Sequence, residues 1–353
     1  MADFEDFPRQ TVVVLGASGF VGSRLVQALR DNVEFRPVAA VRRLPRRAPW
    51  ADVTLRACDA TDSQAVADAL YGVDHVVNCI AGNAKTMIAA ARNLCEQARK
   101  RPPQRIIHLS SMAVYGQATG LVDETIRPVP PLNDYAEAKR VCEEIMQAYV
   151  RDGGNAVILR PGCIYGPGSV QWTARISRLL QAGRIGDLGA EGDGICNLTY
   201  IDDLIVAIQS ALIRPGLVGE VFNIASADLP TWNEYFVRFA RALSATPVRR
   251  LSRRRIDAEC RLIAPILAIA RRVARLARLP ANRIPDPITP SLARLWRQDI
   301  TLDTRRAVSR LDLMQTRLDH GLDASVRWLR RSSVAPAAGD GSSLNQTMEL
   351  GRS

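Results

Sequence analysis

Tyr135 and Lys139 stand four residues apart in Asp134-Tyr135-Ala136-Glu137-Ala138-Lys139, a spacing that puts both side chains on one face of a helix. A phenol is a weak base near neutrality, with an ordinary pKa of about 10. An ammonium one turn away favours its ionised form and lowers that value. Composition adds to the pairing: only three of the 47 basic residues are lysine (Lys85, Lys100, Lys139), and one of them follows a tyrosine by a helical turn. Y-x-x-x-K alone describes many surface helices, so its meaning depends on what the rest of the chain brings to it.

The elements that must position this pair begin near the N-terminus. Thr11-Val12-Val13-Val14-Leu15 reads as a buried strand, and Leu25, Val26 and Leu29 mark an amphipathic helix after it. Between them lies Gly16-Ala17-Ser18-Gly19-Phe20-Val21-Gly22. A glycine turn between strand and helix lets a pyrophosphate approach backbone N–H groups at the positive helix end. This predicts a dinucleotide cradle of Gly16, Ser18, Gly19, Phe20, Val21 and Gly22, spaced G-x-x-G-x-x-G rather than G-x-G-x-x-G. The second strand, Val38 to Val41, ends in Arg42-Arg43. An acid there would suit the ribose 2′-OH of NAD, whereas arginine suits the 2′-phosphate of NADP. The expectation is therefore NADP, with NAD as the alternative, in a loop that Arg46 and Arg47 keep basic. Asp59, followed by Ala60, is placed to meet an adenine amino group after the third strand.

A helix over 63–70, a strand from Asp74 to a stop at Ala81-Gly82, a helix around Ala89–Arg99 and the strand Arg105–Leu109 follow. Strands alternating with helices predict an α/β chain with a doubly wound parallel sheet. Ligands of such sheets sit beyond the carboxyl ends of the strands, and the fifth strand delivers Ser110-Ser111 there. A Ser111 hydroxyl can hold a substrate oxygen while Tyr135 moves the proton.

Gly16–Gly22, Asp59, Ser110–Gly116, Tyr135–Lys139 and Leu159-Arg160-Pro161-Gly162-Cys163-Ile164-Tyr165-Gly166-Pro167 follow the order and spacing of extended short-chain dehydrogenases/reductases. From about Thr11 to Arg330 the chain resembles the NAD-dependent epimerase/dehydratase group. The resemblance implies a Rossmann-type fold with a smaller, mostly helical C-terminal substrate domain. It implies a catalytic set of Ser111, Tyr135 and Lys139, with Tyr135 as general acid/base and Lys139 also on the nicotinamide ribose. Pro161, Gly162 and Ile164 would meet the nicotinamide end through backbone, and Ala81 would line the dinucleotide. Residues 1–10 are then an N-terminal extension, 11–170 the dinucleotide-binding core, and 171–331 the substrate-binding region, with about 195–226 returning to the core. Residues 332–353 read as a disordered tail. Thr231 and Glu234 are placed as N-cap and capping-box partner of a substrate-domain helix.

The resemblance also implies a hydride transfer at a secondary alcohol or ketone carbon, of a nucleotide sugar or a similar polar metabolite. Cys163 stands where members acting on uridine-diphosphate sugars carry Asn, Cys196 where they carry a diphosphate-binding arginine, and Thr86 where a cofactor-contacting Asn is usual. Arg294, Arg297 or Arg184 could supply phosphate contacts instead. These departures keep a second expectation open, an NADPH-dependent enzyme for an apolar, steroid- or lipid-like substrate. A non-catalytic dinucleotide-binding regulator is a third, disfavoured because a sensor needs no Ser/Tyr/Lys set.

Length, at 353 residues, allows a full core in one large or two modest domains. Seven scattered cysteines without a C-x-x-C pair and three distant histidines predict reduced thiols, a cytoplasmic setting and no metal site. No apolar run approaches the ~20 residues of a membrane span, and Met1–Pro8 lacks a signal pattern. The net charge of +11 brings no zinc-finger or RNA-recognition motif, so no nucleic-acid partner is expected. In Ile256–Leu279, Leu262, Ile266, Ile269, Val273 and Leu276 form one apolar helical face, with Arg271, Arg275 and Arg278 on another. Such a helix is expected as a lid over the substrate cleft or, alternatively, as a contact with an anionic membrane surface. A homodimer through helices of the first domain is a family expectation.

Overall fold

A computed structural model describes residues 9–45, 50, 52–126, 131–277, 279, 284–313 and 315–334. Arg46, Arg47, Arg278, the residues before Arg9 and those after Val334 lie outside them. β1 (Gln10–Leu15) leads through the glycine turn into α1 (Phe20–Arg30). Then come β2 (Phe35–Val41), β3 (Thr54–Ala57), α2 (Ser63–Ala69), β4 (His75–Asn78), α3 (Ala84–Lys100) and β5 (Arg105–Leu109). After β6 (Gly120–Val122), α4 (Asp134–Arg151) returns the chain to β7 (Ala156–Pro161) and β8 (Cys163–Tyr165). α5 (Arg175–Gln181), β9 (Leu198–Tyr200), α6 (Ile201–Ile213) and β10 (Val221–Ile224) follow. The remaining elements are α7 (Trp232–Ala242), α8 (Arg253–Ala258), α9 (Ala264–Leu276), α10 (Pro290–Trp296), β11 (Ile300–Leu302), α11 (Arg305–Leu311) and α12 (Leu318–Val334).

Seven strands form one parallel sheet in the order β10-β7-β5-β4-β1-β2-β3. The chain winds outward from β1 to β3, then restarts at β4 and winds the other way, so the crevice between β1 and β4 is the switch point where such sheets bind ligands. β1 is apolar from Val12 to Leu15 because both its faces are covered there. Val12 and Val14 pack with Leu25, Val26 and Leu29 of α1, while Val13 and Leu15 pack with Val66 of α2 and Leu94 of α3. Each such side chain contributes about 1.5–3 kcal/mol on leaving water.

Two short parallel pairs lie outside this sheet, β8 with β9 and β6 with β11. They tie the helical C-terminal part to the carboxyl edge. That part has its own aromatic centre, where Phe236 of α7 meets Trp296 of α10 edge-on at 5.6 Å. α7 opens on a full capping box, Thr231 accepting from the Glu234 backbone and Glu234 accepting from that of Thr231. α12 runs three residues past the point where the sequence reads as tail. The segment read as one helix over 256–279 begins earlier, at α8, and passes through a wide π turn, Glu259–Ile263, into α9.

Candidate active site

The glycine turn is built for close approach. Gly16 has φ of +79°, which favours glycine, and a Cβ on Gly22 would sit 2.3 Å from the Gly16 carbonyl oxygen. Gly19 is the N-cap of α1 in an extended conformation and offers no capping side chain; no acid occupies the first turn. The N–H groups of Phe20, Val21 and Gly22 therefore form the positive end of an 11-residue helix with no side chain over it. Ser18 and Gly19 are exposed. A turn this bare fits a dinucleotide pyrophosphate.

The same edge of the sheet carries the adenosine-side candidates. Arg42 and Arg43 are exposed just past β2. Asp59 follows β3, accepts from the Thr61 backbone and hydroxyl at 3.0 and 2.8 Å, and is held below the usual carboxylate range by those bonds, with Arg42 adding to the effect. The Ala60 carbonyl accepts from Asn93 of α3 at 3.0 Å, and Ala81 is exposed after β4. Thr86 lies in the first turn of α3, its backbone N–H capped by Asn83.

Ser111, Tyr135 and Lys139 converge beyond β5. Ser111 starts the 3-10 turn Met112–Tyr115, its hydroxyl accepting from the Ala113 backbone at 3.2 Å. Tyr135 lies in the first turn of α4, which Asn133 caps through the Ala136 N–H at 2.9 Å. Its phenol is bonded to Ser111. Lys139 is almost fully buried, with Nζ 5.9 Å from the centre of the Tyr135 ring and donating to the Leu109 carbonyl at 2.6 Å.

The electrostatics differ from the expected lowering of the phenol. Burial pushes Tyr135 up to about 12, and the Ser111 bond only partly offsets it. Lys139 is itself pushed below its ordinary value by burial. The ammonium is turned to a carbonyl and faces the ring, so desolvation of the phenol outweighs its help. His108, one strand position before Leu109, is pushed down to about 3 by burial, with Lys139 adding to the effect. Its Nδ1 faces the Asn78 amide at 3.2 Å.

Pro161 ends β7, and the Gly162 N–H donates to the Ile224 carbonyl at 3.0 Å and the Thr199 hydroxyl at 2.9 Å. A Cβ on Gly162 would lie 2.2 Å from the Asn197 carbonyl oxygen. Ile164 is half-buried on β8. The neighbouring Cys163 thiol is close enough to raise the phenol further. Cys163 and Cys196 are both buried, and burial raises both thiols.

Behind these groups runs a buried network that spacing did not single out. Glu143, one turn beyond Lys139, accepts from the Ser110 hydroxyl and grips Arg160 of β7 at 3.0 and 2.7 Å. Arg160 donates to the Tyr115 hydroxyl at 2.8 Å, which donates to Asn223 of β10 at 2.7 Å. A cavity of about 300 Å³ opens beside the turn that Ser111 starts, lined by Gly116, Gln117, Leu132, Arg294 and Gln298. Of the three arginines considered for phosphate, Arg294 lines this cavity. Arg184 is paired with Glu259, and Arg297 with Glu191 at 3.0 Å.

Residues 12–225 match the model of the NAD dependent epimerase/dehydratase family. The chain belongs to this family. It is thus an enzyme of the NAD-dependent epimerase/dehydratase type with a Rossmann-like fold. Among its relatives is YtcB of Bacillus subtilis (strain 168), named an uncharacterized UDP-glucose epimerase, 27% identical over 62% of this chain and 77% of that one. Another is the N-acetyl-alpha-D-glucosaminyl-diphospho-ditrans,octacis-undecaprenol 4-epimerase of Escherichia coli O157:H7, 26% identical over 63% of this chain and 68% of that one. The UDP-glucuronic acid 4-epimerase of Bacillus cereus, solved with UDP-glucuronic acid and NAD, superposes with a TM-score of 0.69 over 92% of this chain and 100% of that one at 20% identity, a likeness of fold.

Among the described residues no helix is long and apolar enough to cross a membrane. The helix expected as a lid shows a different face. Leu262, Ile266, Ile269, Val273 and Leu276 are all exposed. Arg271 bonds inward to Asp286 at 2.8 Å, and the side chain of Arg275 lies outside what is described.

Proposed function

We propose that this enzyme carries out reversible oxidation at a secondary alcohol carbon of a nucleotide sugar. The observation that carries this reading is the meeting of Ser111, Tyr135 and Lys139 at the carboxyl edge of the sheet, with a bare glycine turn on the same edge. Gly16, Ser18, Gly19, Phe20, Val21 and Gly22 would hold the pyrophosphate of the dinucleotide, Asp59, Ala60 and Ala81 its adenosine side, and Pro161, Gly162 and Ile164 its other end. Bound there, the nicotinamide supplies the hydride acceptor and donor. Ser111 orients the reacting oxygen. Tyr135 takes the hydroxyl proton in oxidation and returns it in reduction. Lys139 holds positive charge beneath the phenol ring. Arg294 is assigned the substrate diphosphate, because it lines the cavity beside Ser111 and forms no ion pair among the described residues.

Arg42 and Arg43 favour NADP over NAD, since two exposed guanidiniums suit a 2′-phosphate. Self-association through α3 and α4, which pack together beside the site, is part of the same reading. A second reading, an apolar hydroxy or keto substrate, is favoured by buried Cys163 and Cys196 in place of polar groups.

A thermal-shift panel of NAD, NADP, UDP-glucose and UDP-glucuronic acid tests the assignment, because a ligand of the native state raises the melting temperature by mass action. A dinucleotide and at least one nucleotide sugar should each raise it. No response to any nucleotide sugar, with stoichiometric NADPH consumption on an apolar ketone, would favour the second reading.

A further inference from the structure

α9 is amphipathic in the wrong sense for a soluble helix. Its small side is turned in: Ala264 and Ala274 are buried. Its large apolar side, continued upstream by Leu262 of the π turn, is turned out, with Leu262 at 65%, Ile266 at 66%, Ile269 at 58%, Val273 at 57% and Leu276 at 79% exposed. Steps of four, three, four and three residues keep these five on one stripe. Ile263 and Leu279 widen it at its two ends. Seven large apolar side chains within 18 residues make one continuous exposed patch rather than the isolated ones normal on a surface.

Charge says what covers it. From Arg249 to Leu279 the chain has ten arginines against two acids, a surplus of eight within a total of +11. One of the two acids, Glu259, is already neutralised inward by Arg184. Arg254, Arg255, Arg261 and Arg272 are exposed around the apolar stripe. An apolar stripe set among arginines suits a surface that is oily inside and anionic at its rim, whereas a second copy of this same basic patch would be repelled. Among the described residues no helix is long and apolar enough to cross a membrane, so the segment is placed in the interface rather than across it.

We propose that the α8–α9 segment docks this protein on an anionic phospholipid surface, with Leu262, Ile266, Ile269, Val273 and Leu276 in the acyl boundary and the surrounding arginines on the headgroups. The docking is independent of the reaction assigned above.

The test is co-sedimentation of the full chain with vesicles of phosphatidylglycerol and phosphatidylethanolamine, and with vesicles of phosphatidylcholine alone. The protein should pellet with the anionic vesicles and much less with the neutral ones, and added salt should release it. Ile266→Glu/Val273→Glu should lower vesicle affinity at least about tenfold, since a charge is placed in the apolar boundary at two positions. Arg254→Gln and Arg272→Gln should each lower it about fivefold. All these variants should keep the wild-type melting temperature and its response to NAD or NADP, because each changed side chain is exposed and none belongs to the glycine turn. That response also separates the two proposals, since it reads the dinucleotide site alone. Absence of binding to anionic vesicles at low salt overturns the inference. So does equal binding by the Glu variant. A wild-type oligomer that dissociates on Ile266→Glu/Val273→Glu, in sedimentation velocity without lipid, overturns it in favour of a second copy.

Discussion

Glu143 and Arg160 form a two-pronged ion pair, with side chains only 3% and 2% exposed, between the helix that carries Tyr135 and the strand that ends at Pro161. Tyr135, Lys139 and Glu143 are spaced by four residues and share one stripe of α4, so whatever fixes Glu143 also fixes the rotation of that helix over the sheet. Glu143→Ala leaves the guanidinium buried without its counter-charge. The expected cost is about 3–5 kcal/mol, read as a lower midpoint in urea unfolding at unchanged slope. A loss below about 1 kcal/mol would show that Arg160 finds another partner.

The second prediction concerns the phenol. At about 12 it stands above its ordinary 10, so at neutral pH Tyr135 is protonated and ready to donate. Alcohol oxidation, which needs the phenolate, should climb with pH across 7–9, while ketone reduction stays nearly flat. Ser111→Ala removes a bond that lowers the phenol, so the climbing limb should move to higher pH. Tyr135→Phe should lower kcat by about 10²–10⁴-fold in both directions. Profiles of kcat/KM against pH check this, and a limb that moves to lower pH in Ser111→Ala contradicts the arrangement.

A third follows from His108. Folding holds this imidazole near 3, against about 6.5 for an unfolded chain. The unfolded state therefore takes up the proton first. The group's contribution is present in full above pH 6.5 and is lost as pH falls toward 3, by up to about 1.4 kcal/mol per unit. His108→Gln should flatten the acid limb of the stability curve between pH 6 and 4, measured by denaturant unfolding. An unchanged slope would mean that the histidine is already protonated in the fold.

The fourth is steric. A methyl on Gly22 would meet the Gly16 carbonyl oxygen at 2.3 Å and the Ala17 Cα at 2.9 Å, both backbone. Gly22→Ala should displace the turn and abolish the melting-temperature rise with NAD or NADP. A wild-type response would show that the turn yields without loss.

What was legible in the chain was local. The valine run of β1, the glycine spacing and the Thr231/Glu234 box each fit within a few residues, and each predicts an element from contacts it makes with itself. The arrival of Ser111 at the carboxyl edge was legible because the doubly wound pattern sends every strand end there, whereas its meeting with Tyr135 and Lys139 of α4 was implied only by the family resemblance. Glu143–Arg160 was not, since a charged pair 17 residues apart looks like two surface groups until a sheet buries both. Tyr115 and Asn223 are 108 residues apart, and nothing periodic connects them. The phenol shifts the other way because spacing reports the nearby lysine but not the surrounding burial. The apolar period of α9 was plain from sequence, yet period alone does not say which side turns outward.

The parallel pair of β6 with β11 joins Gly120 to Ile300. The strand that pairs with β6 thus leaves the ribosome about 75 residues after β10. At 5–20 residues per second that is a lag of roughly 4–15 s. During that interval the nascent seven-stranded half has all its strands, while the strand that pairs with β6 is still being made.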